Sequence, residues 1–211
     1  MLTKKLLVAA ACVAMLFSCS KDDKSDTNPN TDPGKDSIPT VNAEQKKLLG
    51  TWTFVNLVAE TNTTLTIENE KSVTITNYTT LENTGVITIT ADSLNTDNFG
   101  YKVNTWTFNA YYVDNMVEDT FSLPFQFTAE KYSSKSKYKW ISKDSLYGES
   151  GTTTTGSTTV KSIPAGIKLG WSGDTLLMIT KLDTISKQLL DGGYYADKRQ
   201  IATTTTKLVK K

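Results

Sequence analysis

The stretch Lys47-Leu48-Leu49-Gly50-Thr51-Trp52-Thr53-Phe54-Val55-Asn56-Leu57-Val58 decides the fold. Two leucines close a short polar segment, a glycine makes a turn, and a strand opens on a tryptophan. Trp52, Phe54 and Val58 fall on one face at period two, with Asn56 the polar member. A glycine two residues ahead of the indole allows a close backbone approach. Gly50 and Trp52 are therefore expected to plug the end of a barrel.

Working outward, the pattern stays that of strands. The first is expected over 51–60, then 63–67, with Glu68-Asn69-Glu70-Lys71 turning the chain toward Val73 and Ile75. Residues 85–90 form another, and Tyr101 to Val113 a longer one with Trp106, Phe108, Ala110 and Tyr112 on one face. Phe121, Leu123, Phe125 and Phe127 make the most aromatic face in the chain, and Pro124 among them points to a bulge, a bend or an edge. Tyr132 to Trp140 alternates lysines with aromatics and reads as a solvated hairpin, Ser150 to Thr159 as a loop or wide hairpin. Ser172-Gly173-Asp174 signals a tight turn, Ile185 to Asp191 a short helix, and 199–210 the final strand. Glu44 to Leu49 is expected to form one helical turn over the barrel floor. Threonine is the commonest residue, which suits an all-β class. About ten short strands fit an up-and-down barrel or a sandwich.

Gly50-x-Trp52 after leucines resembles the opening of the lipocalins and of bacterial lipocalin-like domains. The resemblance covers that motif and the general strand order of residues 46–211. It implies an antiparallel up-and-down (calycin-type) barrel of about 8–10 strands. It also implies a basic residue near the last strand packed across the tryptophan. The only arginine, Arg199, begins that strand, so antiparallel closure assigns the role to Lys207 or Lys210.

Before the barrel lies an address. Lys4 and Lys5 precede an apolar run, Leu6 to Phe17, which ends in Leu16-Phe17-Ser18-Cys19. This resembles the bacterial lipobox and implies a signal peptide over 1–18 and a Cys19 that carries acyl chains of the palmitate class. Bacterial lipoproteins of this kind carry three chains, and two or more hold a protein stably on a membrane. Ser20-Lys21-Asp22-Asp23 resembles a surface-export signal, so the expected location is the outer membrane, at the cell surface of a Gram-negative bacterium. Residues 19–45 then read as a lipidated linker rich in Pro, Asp, Asn, Ser and Thr, which cannot support a core.

The residue inventory narrows the chemistry. Formal charge is +1, from 23 basic and 22 acidic residues, which gives no electrostatic reason to bind nucleic acid. There is no histidine, and both cysteines, Cys12 and Cys19, lie in the leader. Ser-His and Cys-His catalysis are closed, and no metal or cofactor site is expected. The carboxylate pairs Glu68/Glu70 and Glu118/Asp119 read as solvated charge. No enzyme is expected.

Asp followed by Ser or Thr and an aliphatic residue recurs at Ser37, Ser93, Ser145, Thr175 and Thr184. The triplet resembles an O-glycosylation acceptor. It equally marks a turn that ends in a strand. The expected function is non-catalytic binding of a small apolar or aromatic ligand. Paired as a hairpin, Tyr101, Trp106, Phe108, Tyr112, Phe121, Phe125 and Phe127 are the candidate pocket wall. The alternative is a structural or accessory envelope lipoprotein with a filled barrel and a protein partner.

Overall fold

The computed structural model describes residues 43–162, 164–190 and 193–211. They form one short helix, α1 (Ala43–Leu48), and eleven strands. These are β1 (Gly50–Ile67), β2 (Glu70–Thr79), β3 (Leu81–Ile89), β4 (Ser93–Val113), β5 (Met116–Ser142), β6 (Ser145–Gly148), β7 (Thr152–Thr155), β8 (Thr158–Lys161), β9 (Ala165–Ser172), β10 (Thr175–Leu189) and β11 (Tyr195–Lys210). The signal expectation and residues 19–42 of the linker expectation, with Cys19 and Ser37, lie outside the described residues, while residues 43–45 open α1.

All pairings are antiparallel and close a barrel-like ring of eight strands. Three of the eight are interrupted. β2 and β3 lie end to end along β1 and β4. β6 and β7 lie end to end along β5, and β8 and β9 return along them. Counted this way, each strand pairs with its neighbour in the chain. The first and last then close the ring: Trp52 faces Lys210 and Phe54 faces Leu208, as antiparallel closure requires.

A β-bulge between Phe54 and Asn56 corrects the phase of the opening stretch. One extra residue reverses the side-chain alternation. Leu57 therefore packs on the core in place of Val58, and Ala59 follows it inward. The short helix expected over 185–191 is also corrected. Ile185 to Leu189 continue β10, each residue opposite one of β11 from Arg199 to Tyr195, because ladder bonds outweigh a weak helical pattern. Tyr132 to Trp140 is not a hairpin but the last part of β5. Tyr132, Tyr138 and Trp140 pack on the core, and Lys135, Lys137 and Lys139 face solvent.

The core occupies the half of the ring nearest α1. Leu48, Trp52, Phe54, Ile87, Ile89, Leu94, Phe99, Leu146, Leu176 and Leu208 fill it. In the other half the ring opens. β9 covers β10 only from Thr175 to Thr180, and β7 reaches β5 only from Tyr132 to Lys135. Among the described residues, the first part of β5 therefore has β4 as its one neighbour. Pro124 sits on that edge, where a missing N–H costs no ladder bond.

Candidate functional site

At the closed pole, five residues explain why the opening stretch is written as it is. The Trp52 indole N–H donates to the Leu48 carbonyl at 2.9 Å, inside the core. It thereby satisfies a carbonyl that the end of α1 leaves without a helical partner. Lys210 lies 5.4 Å from the centre of the Trp52 ring and donates to the Lys47 carbonyl at 3.4 Å. Gly50 has φ +126°, and a Cβ there would sit 3.3 Å from the Lys210 side chain. The basic residue across the tryptophan is thus Lys210. Arg199 pairs opposite Thr64 at the other pole and binds Asp183 with two hydrogen bonds, 3.0 and 2.8 Å.

Beside this plug is a cavity of about 250 Å³ lined by Leu48, Trp140, Lys143, Asp144, Leu169 and Trp171. Trp171 stands 5.8 Å from Trp52, with Lys47 Nζ 3.8 Å from its ring centre. Trp140 meets Tyr138 edge-on at 6.3 Å, and the Tyr138 hydroxyl donates to the Thr90 carbonyl at 2.7 Å. The Asp144 carboxylate accepts from the hydroxyls of Ser142 (2.7 Å) and Ser145 (3.1 Å). Those bonds, with help from Lys168, hold it below the usual carboxylate range. The cavity thus has two indoles and two leucines for walls and one acid and one base at its edge. Mostly apolar walls with a few polar groups are the usual composition of small-molecule pockets.

None of these lining residues was among the sequence candidates. The signal was faint but present. Leu208, opposite Phe54, faces Leu176, and Leu176 faces Trp171, so pairing outward from Phe54, two residues after Trp52, leads round the ring to the second indole.

The sequence candidates themselves are divided. β4 and β5 do pair as a hairpin, but Trp106 faces Pro124 and Phe108 faces Ser122. Directly opposed residues share a face. Trp106, Phe108 and Tyr112 therefore lie on the outer face, with Tyr112 under Lys71 Nζ at 4.4 Å. Phe121, Leu123, Phe125 and Phe127 lie on the inner face beside Asn109, Thr107, Thr105 and Val103. The single aromatic surface expected of the two stripes is corrected to two surfaces, back to back. Of the seven, Tyr101 and Phe127 touch, with ring centres 6.4 Å apart.

Tyr101 belongs to an inner group above the stacked rings of Phe54 and Phe99, whose centres are 4.0 Å apart. Burial, and secondarily Tyr101, push the Tyr78 phenol up to about 12 and raise Tyr132 further. Phe127 also lines a second concavity of about 320 Å³ with Leu81, Val103 and the ion pair Lys102–Glu82 at 2.6 Å.

Both carboxylate pairs come to the open pole and are exposed. Tyr111 sits with them, raised by desolvation and then by its hydrogen bond to Glu70. No group of three acidic or thiol side chains suited to a metal ion occurs among the described residues. Ser93, Ser145 and Thr175 each open a strand. Ser93 is buried and bonded to the Thr90 hydroxyl at 2.6 Å, while Thr184 lies exposed within β10.

No protein-family model matches this chain, and neither does any curated protein or solved structure.

Proposed function

We propose that this chain is a lipocalin-like (calycin-type) barrel, anchored through Cys19 to the outer membrane and displayed at the cell surface of a Gram-negative bacterium. There it binds a small apolar or aromatic ligand without catalysis. The observation that carries the binding is the cavity of about 250 Å³ walled by Leu48, Trp140, Leu169 and Trp171, with Lys143 and Asp144 at its edge. Its size suits a single-ring or fused-ring molecule, since pockets for drug-sized ligands begin at about 300 Å³. The family reading draws support from the Gly50-x-Trp52 plug and from Lys210 over the indole.

The test is native mass spectrometry of protein purified from its own host, followed by titration with an aromatic probe dye. Retained mass, or dye binding that Trp140→Ala weakens while the fold persists, supports the reading. A wild type that retains nothing and binds no dye refutes it. That result would favour a structural or accessory role with a protein partner, for which the exposed Trp106 and Phe108 outside and Phe121 and Leu123 inside speak.

A further inference from the structure

The outer edge of β10 beyond Thr180 is unpaired among the described residues. On its outer face stand Lys181, Asp183, Ile185, Lys187 and Leu189, and on its inner face Leu182, Thr184, Ser186 and Gln188. Ile185 is 78% exposed, more than any other large apolar residue described. A free edge usually carries lysine to prevent pairing. Here two lysines, Lys181 and Lys187, are present, but an acid stands between them: Asp183 and Lys187 lie two residues either side of Ile185 and have opposite signs.

We propose that β10 pairs antiparallel with β10 of a second copy, about a twofold axis through Ile185. In that register Asp183 of each chain faces Lys187 of the other, Thr184 faces Ser186, Leu182 faces Gln188, and the two Ile185 side chains meet on the axis. The ion pairs already present extend the pattern. Lys187 binds Asp197 at 3.1 Å and Arg199 binds Asp183 at 2.8 Å. Each new Asp183–Lys187 contact therefore joins two existing pairs into one row of alternating sign across four strands. Opposite charges directly across an antiparallel pair attract, and Ile185 leaves water at the centre. A shift of register by two residues sets Asp183 against Ile185 and loses both gains. The contact is isologous and closes on itself, so it yields a dimer and not a fibre. The sheet runs unbroken from one ring into the other, a mode known as β-augmentation.

The test is cysteine crosslinking in the full chain, in detergent, with Cys12 and Cys19 changed to Ala so that an introduced cysteine is the only thiol. Directly opposed residues of an antiparallel pair are about 4.5–5.5 Å apart, within disulfide reach. Ile185→Cys should give a disulfide dimer on oxidation, while Ile141→Cys, exposed at the closed pole, stays monomeric. Asp183→Cys alone should stay monomeric, since it faces Lys187. Joined with Lys187→Cys it should crosslink. Adding Asp183→Lys to the Ile185→Cys variant should abolish the dimer. If Ile185→Cys fails to fold, the Thr184→Cys/Ser186→Cys pair reports the same register from the inner face. An Ile185→Cys variant that stays monomeric, or an Asp183→Cys variant that crosslinks as readily, overturns the proposal.

Discussion

Replacing Trp52 by Phe tests the plug while keeping an aromatic ring at its centre. The indole is 1% exposed, and its N–H is the donor to the Leu48 carbonyl at 2.9 Å. Phenylalanine keeps an aromatic ring in place but leaves that carbonyl buried without a donor, at a cost of about 1–3 kcal/mol. The attraction of Lys210 for the ring also weakens, by a fraction of the roughly 0.5–1 kcal/mol such contacts supply. Together these give a loss of about 1–4 kcal/mol, at about 2–4 °C in Tm per kcal/mol for a domain of this size. Urea unfolding followed by far-UV circular dichroism reads the loss without depending on tryptophan emission. Trp171→Phe is the comparison, since that ring is half-buried. It should cost less than about 1 kcal/mol. A Trp52→Phe variant within about 0.5 kcal/mol of wild type would show that the indole hydrogen bond does not hold α1 to the ring.

Three further outcomes are expected. Cys19→Ala should move the protein from the membrane fraction to the soluble fraction with its circular dichroism unchanged; unaltered membrane retention would refute the anchor. Tyr78 has its phenol raised from 10.0 to about 12, so its neutral form favours the fold. That contribution is fully present below pH 10 and is lost as pH rises from about 10 toward 12, because the unfolded chain ionises first. Tyr78→Phe should flatten this alkaline decline, and an unchanged pH–stability curve would count against the burial. Phe54→Ala, in the filled half, should cost about 3–5 kcal/mol, whereas Phe125→Ala, half-buried on the open half, should cost about 1 kcal/mol. Equal losses in urea titrations would mean that the open half is packed as tightly as the closed one.

The ring itself was legible in the sequence. Closure between 199–210 and 51–60 followed from one motif and an antiparallel meander, and the turns at Glu68-Asn69 and Ser172-Gly173-Asp174 fall where their composition puts them. Phase was harder to read. The bulge at Val55 has no distinctive residue, yet it decides whether Leu57 or Val58 enters the core. The same limit hid the division of the aromatics. Period two assigns Trp106 and Phe108 to one face of β4 and Phe121 and Phe125 to one face of β5. Only the register, Phe108 opposite Ser122, says that these are different faces of the sheet. The cavity residues come from α1, β5, β9 and the turn after β5, segments far apart in the chain. No local pattern marks such a meeting. The interrupted strands share that origin. Gly85 fits where it does because a Cβ would stand 2.7 Å from the Asn98 carbonyl oxygen, a neighbour the sequence cannot name.

Lys211 N–H donates to the Thr51 carbonyl at 2.9 Å, so the chain path leaves the ring beside the point where it enters. A circular permutant should therefore be easy to build. A short glycine-serine bridge would join Lys211 to Ala43, and new ends could be cut at the exposed Glu68-Asn69 turn, one β1 length away. At about 3.3 Å per residue, the 18 residues of β1 carry those new ends up to roughly 60 Å from the old ones. In the native order, cargo fused after Lys211 would emerge at the pole where α1 lies, leaving the open pole clear. In the permuted order, the same cargo would crown the open pole.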